Sequence, residues 1–129
     1  MGIDWTQMNV WAILAGGALY MFYGAIYYSI LLKNKGEFAA NESKGPGKYA
    51  ASAAIAFISS LLIGILVVSA GAETWISGAA AGFIVGLIIT LVYLKNSLFG
   101  LLSRRALFIA AGDHLIIFTL LGAVHGIWS

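Results

Sequence analysis

The stretch WISGAAAGFIVGLIITLVYLKN, residues 75–96, decides the fold. Its first twenty residues carry no charge, and Gly78, Gly82 and Gly86 recur at every fourth position. At 1.5 Å per residue, about twenty apolar residues in a helix cross the hydrocarbon core of a bilayer. A strand of a membrane barrel would instead be about ten residues of alternating character. Trp75 to Leu94 therefore predicts a transmembrane helix, and three further runs have the same character: Met8 to Leu32, Tyr49 to Ala70 and Ala106 to Trp128. The expected fold is an all-α membrane protein of four transmembrane helices, with the 129 residues forming one domain.

Composition agrees. The chain is 61% hydrophobic and 9% charged, whereas soluble domains carry about 25% charged residues. Such a surface cannot be wetted, so the first partner is the lipid bilayer itself. A net charge of +2 gives no reason to expect nucleic acid, and the absence of cysteine removes disulfides and thiol chemistry.

The positions of the charges matter more than their sum. Lys33, Lys35, Lys44 and Lys48 lie between the first two runs, and Lys95, Arg104 and Arg105 between the last two. With four spans both loops fall on one side, which the positive-inside rule makes cytoplasmic. The expected location is a bacterial plasma (inner) membrane with both termini outside. Trp5, Trp11, Trp75 and Trp128 then mark the outer interface, and Tyr28, Tyr49 and Tyr93 the inner one. The first span is expected to stay in the mature chain. Its flank, MGIDWTQ, carries an acid and no basic residue, and its apolar run exceeds that of a secretory signal.

A shift of 62 residues lays the first half of the chain on the second. Gly16 meets Gly78, Gly24 meets Gly86, Leu32-Lys33-Asn34 meets Leu94-Lys95-Asn96, and Gly64-Ile65 meets Gly126-Ile127. This pattern suggests two helical hairpins of like orientation, related by an axis along the membrane normal, as in parallel-repeat transporters. Small residues are the natural packing points, because lipid gives helices no hydrophobic reason to associate. The candidates are Gly78, Gly82 and Gly86, then Ala56, Ser60 and Gly64, then Gly122 and Gly126. They serve either the bundle itself or contact with another chain.

One stretch conflicts with its surroundings. IAAGDHLII, residues 109–117, places Asp113 and His114 inside the last span. An ionised carboxylate at such depth costs about 2.5–3.5 kcal/mol even on the lenient insertion scale, so Asp113 must face the bundle. Neighbours on a helix diverge by about 100°, which does not make Asp113 and His114 a pair by default. Counting depth along the opposed first helix, a tyrosine is the simplest partner for Asp113, with Tyr23 or Tyr27 expected. His125, three turns beyond His114, is expected near the outer interface. The expected intramembrane polar site is Asp113, His114, Tyr23 and Tyr27, read either as a structural clasp or as a proton-handling site.

The segment NSLFGLLSRRALFIAAGDHLIIFTLLGAVHGIW, residues 96–128, and GAIYYSILL, residues 24–32, carry a likeness. The whole chain resembles a bacterial family of uncharacterised four-helix membrane proteins, a domain of unknown function. Members of that family tend to have Ala-Gly-Tyr-His-Leu in the last helix. Here Gly112, His114 and Trp128 match, and Asp113 stands where tyrosine is more usual. The resemblance implies the fold and no activity.

No metal-ligand spacing, phosphate loop or nucleophile with a base is visible, so no metal, cofactor or catalytic residue is assigned. Three functions fit. One is a non-catalytic packing protein, self-assembling into a homo-oligomer or serving as a subunit of a larger membrane complex. The second is a small transporter or proton-coupled channel using the Asp/His/Tyr cluster. The third, least supported, is an enzyme acting on lipid. A polar cavity at Asp113 favours the second, and a free glycine-lined face favours the first.

Overall fold

The computed structural model describes residues 9–31 and 45–128. Trp5, Lys33, Lys35, Lys44 and the outermost residues of the first span lie outside them. Four helices follow one another: α1 (Val10–Leu31), α2 (Gly47–Ser69), α3 (Trp75–Leu98) and α4 (Arg104–Trp128). Each is long and apolar enough to cross a membrane, and no strand occurs among the described residues. The helices outrun the apolar spans at the charged ends. α3 continues through Lys95 to Leu98, and α4 begins at Arg104, two residues before the expected Ala106. Helices of this length reach into the headgroup layer, where charged side chains are solvated.

Local chemistry explains where the helices start and stop. The Asn9 side chain caps α1 by accepting from the amides of Trp11 and Ala12, at 2.9 and 3.2 Å. α3 opens with a reciprocal capping box between Thr74 and Ser77, and Ser103 accepts from the Ala106 amide at the head of α4. The two described turns reverse through Gly71 and Gly100, with φ of 70° and 82°. Glycine takes that left-handed conformation without the penalty a side chain would bring.

α4 is the hub. Its contact with α3 is the most extensive in the bundle, and it also packs on α1 and α2, while α2 barely meets α3. The α3–α4 seam is backbone against backbone. A Cβ at Gly78 would collide with the Gly122 carbonyl, and one at Gly82 with the Phe118 carbonyl. A Cβ at Gly126 would collide with the carbonyl of Thr74. Ile63 and Val67 of α2 and Ile117, Phe118 and Leu121 of α4 belong to the buried core cluster. The outward faces, such as Phe22, Ile26 and Ile30 on α1 or Ile84, Ile88 and Leu91 on α3, are exposed and suited to lipid.

The shift of 62 residues that aligns the sequences also aligns contacts. Gly16 sits against Ser60 as Gly78 sits against Gly122, and these four positions are equivalent under the shift. The equivalence then fails at one end. A Cβ on Gly86 would lie 3.1 Å from both the His114 carbonyl oxygen and the Leu115 Cα. Its counterpart Gly24 has nothing within 4 Å, and the counterpart of His114 is Ser52. The second hairpin is shut where the first stands open.

Gly82 is the most enclosed point of the seam. Gly82→Leu should therefore force α3 and α4 apart, at a cost of about 1–3 kcal/mol or more. Leu87→Ala, on an exposed position, should change little. Unfolding of the two variants in mixed detergent micelles checks this; equal, small effects would contradict the seam.

Candidate functional site

The open end of the first hairpin is where the polar groups lie. Asp113 is 5% exposed. The Tyr28 hydroxyl donates to its Oδ2 at 2.6 Å, and His114 Nδ1 lies 3.7 Å from the same oxygen. His114 Nδ1 also meets the Ala110 carbonyl at 2.7 Å. A carbonyl only accepts, so Nδ1 carries a proton and donates. The imidazole is held from two sides, edge-on by Tyr93 at 5.3 Å and stacked on Phe118 at 5.9 Å between ring centroids. Asp113 and His114 therefore come close despite diverging along the helix.

The expected tyrosine partners are corrected. Tyr27 donates to the Ile109 carbonyl at 2.7 Å, not to Asp113. That bond supports the helical turn bearing Asp113, since Ile109 is four residues earlier. Tyr23 stacks on Tyr27 at 5.5 Å, and its buried hydroxyl has no hydrogen-bond partner. The bond to Asp113 belongs to Tyr28, which the sequence reading placed among the interface aromatics. The reason is the direction of helical side chains. They lean toward the helix N-terminus and cover the preceding turn, so Tyr28 delivers its hydroxyl near the level of Gly24. Gly112 has its own role: a Cβ there would sit 2.6 Å from the Tyr27 hydroxyl.

The same lean explains a second polar contact. His125 is 4% exposed, not at the outer interface as expected, because its ring points back into the bundle. Its Nε2 is 3.1 Å from Ser60 Oγ, and Ser60 donates to the Ile13 carbonyl at 2.9 Å. The single Ser60 proton is used on Ile13, so His125 Nε2–H donates to Ser60. The chain of bonds ties α4 to α2 and α2 to α1. Ser60 thus joins three helices in addition to packing, while Gly64 is buried beside it in α2.

Between α1, α2 and α4 lies a cleft of about 690 Å³, with Asp113 and His114 on its α4 wall. Tyr20, Tyr28, Tyr49, Ser29 and Ser52 line it together with Met21 and Ile55, and the space beside Gly24 is open. The two serine hydroxyls are bonded back to Ala25 and Lys48 carbonyls. Among the described residues no Lys or Arg lines the cleft. Among the described residues, no group of three His, Asp or Glu side chains converges to hold a metal ion.

Fold and site together define a four-helix membrane protein with a carboxylate, Asp113, buried in the bundle beside a mainly apolar cleft. The chain belongs to the family described as Protein of unknown function (DUF1761), whose model matches residues 11–126. This agrees with the resemblance to uncharacterised four-helix proteins. No curated protein and no solved structure matches it.

If Tyr28 holds Asp113, a double-mutant cycle of Tyr28→Phe with Asp113→Asn should show coupling of about 0.6–1.7 kcal/mol, the range of interhelical hydrogen bonds in membranes. Tyr27→Phe with Asp113→Asn should be additive within about 0.5 kcal/mol. Asp113→Leu should be worse than Asp113→Asn by about 1–3 kcal/mol, because it leaves a buried phenol unpaired. Unfolding titrations in micelles report all three, and equal coupling for Tyr27 and Tyr28 would contradict the assignment.

Proposed function

We propose that this protein is a small proton-coupled transporter of the bacterial inner membrane, with Asp113 as the group that takes and gives up the proton. The observation that carries the reading is the cleft at Asp113. A purely structural carboxylate would be expected to be closed in on all sides. Here the buried acid forms a wall of a space large enough for a ligand, since binding pockets run from about 300 to 1,000 Å³. Ionisable groups inside a membrane are costly and mark transport paths and proton relays more often than packing.

A packing protein would present its small-residue stripes to a partner. Gly78, Gly82, Gly86, Gly122 and Gly126 are all buried. They are spent on the α3–α4 seam, so they offer no glycine face to a foreign helix. One observation keeps a second reading in view: Gly24 and exposed Ala25 leave a small-residue edge beside the cleft, against which a second copy or another membrane subunit could pack.

Orientation follows the basic residues. The end where α1 and α3 finish and α2 and α4 begin carries Lys48, Lys95, Arg104 and Arg105. On the positive-inside rule it is the cytoplasmic end, both termini are outside, and the cleft opens toward the cytoplasm. In this arrangement Asp113 exchanges protons through the cleft, and Tyr28 orients the carboxyl toward it.

Proteoliposomes containing a pH-sensitive dye test the reading. After an external pH step, wild type should equilibrate protons faster than protein-free vesicles, and Asp113→Asn should fold normally yet behave like empty vesicles. An Asn variant with wild-type proton movement would contradict the proposal.

A further inference from the structure

The lining of the cleft restricts what it can hold. Among the described residues its acidic group is Asp113, and its other polar side chains are phenols, serine hydroxyls and His114. Three tyrosines, Tyr20 and Tyr28 from α1 and Tyr49 from α2, are among its lining, and Lys48 Nζ sits 5.2 Å from the centre of the Tyr49 ring. The titratable groups that face Asp113 are Tyr20, Tyr23, Tyr27 and Tyr28 from α1, Tyr93 from α3 and His114 beside it on α4; α2 adds Tyr49 across the cleft. Among the described residues none of these is a lysine or an arginine. His114 Nδ1 lies 3.7 Å from the carboxylate, but it spends its hydrogen on the Ala110 carbonyl, and its ring is clamped by Tyr93 and Phe118.

A carboxylate in apolar surroundings must be neutralised. Among the described residues no lysine or arginine lines the cleft beside Asp113, so within that lining neutralisation comes from a proton or from a positively charged ligand. Faces of aromatic rings attract cations and do not attract anions. A neutral ligand would leave the charge uncompensated, and an anion would worsen it. The size of the space excludes nothing up to a drug-sized molecule, whereas a bare metal ion would find too few oxygen ligands here.

Resting on the transporter reading above, we propose that the cleft binds a hydrophobic organic cation, an alkylated or aromatic ammonium, in exchange for the proton on Asp113. The step is balanced. The protonated carboxyl loses its hydrogen to water, and the resulting carboxylate pairs with the incoming ammonium; release of the cation lets a proton return. The carboxyl is occupied by a proton or by the ligand, not by both, and this competition is the coupling. Tyr28 keeps its hydrogen bond to Oδ2 in either state, and the rings of Tyr20 and Tyr49 hold the ligand's apolar surface.

The test uses the purified full chain in detergent, with benzyltrimethylammonium as the probe, and benzyl alcohol and benzenesulfonate as the neutral and anionic matches. Calorimetry in buffers of different ionisation enthalpy counts protons. The ammonium and the proton should compete for the site, so ammonium affinity should rise with pH and binding should release protons where the two compete. Asp113→Asn should bind at least tenfold more weakly and release none. Tyr49→Leu should weaken binding roughly two- to fivefold, with Tyr49→Phe close to wild type, as expected for a cation over a ring. Binding of the sulfonate or the alcohol as tightly as the ammonium would overturn the cation assignment, as would undiminished ammonium binding by Asp113→Asn. If the ammonium fails to bind while Asp113→Asn still abolishes proton movement in vesicles, the ligand class falls and the transporter reading stands. If both fail, both fall.

Discussion

The approach of the α3 backbone to the α4 backbone is the constraint on which the rest of the molecule depends. Lipid tails are as apolar as leucine, so burying side chains between helices releases nothing that lipid would not also supply. Association must come from close atomic contact, and closeness is limited by whatever stands on the facing surfaces. With hydrogen in place of a side chain at Gly78, Gly82, Gly122 and Gly126, carbonyls of each helix rest where Cβ atoms would be. α4 is thereby fixed on α3, and its other flank displays Ile117, Leu121, Asp113 and His125 to the remaining helices. Both polar contacts of the interior, Tyr28 with Asp113 and His125 with Ser60, extend from this platform.

The two hairpins solve the same packing problem with different residues, and their difference is informative. At the level of Gly16 and Gly78 they match, with serine in the first where the second has glycine. Ser60 is large enough to need a partner and finds two, Ile13 and His125. Further toward the basic end, Gly86 is pressed on His114 while Gly24 touches nothing. The open end of the first hairpin is also where tyrosines accumulate, and their hydroxyls need acceptors that lipid cannot offer. Tyr27 and Tyr28 find them on α4, in the Ile109 carbonyl and the Asp113 carboxyl. A departure from internal symmetry thus coincides with the buried acid, as expected if the symmetric part carries the fold and the asymmetric part carries the chemistry.

Much of this was readable from residue order. The four helices follow from apolar length alone, since no soluble core uses four apolar runs of about twenty residues with Asp113 as their one carboxylate. Glycine at every fourth position in the third run pointed to a close contact, and that Asp113 must face inward follows from the cost of a charge in lipid. The misses share one cause. Depth was counted along Cα positions, whereas side chains lean one turn toward the helix N-terminus. Corrected for that lean, Tyr28 rises to the level of Asp113, and His125 drops from the interface to the level of Ser60. The cleft itself was not legible, because it depends on how far α1 and α2 stand apart, and no local pattern of residues encodes that distance.

The central claim is that water and solutes reach a carboxylate buried among four helices through the open end of the first hairpin. The sequence has no cysteine, so single thiols can be placed without background. Ser52 lines the cleft, and Ile88, at a similar depth by the internal repeat, is exposed on the outer face of α3. In membranes, a charged thiol reagent should modify Ser52→Cys rapidly from the side of the basic end and leave Ile88→Cys untouched. If Ser52→Cys is as unreactive as Ile88→Cys, the cleft is sealed from water and the account fails.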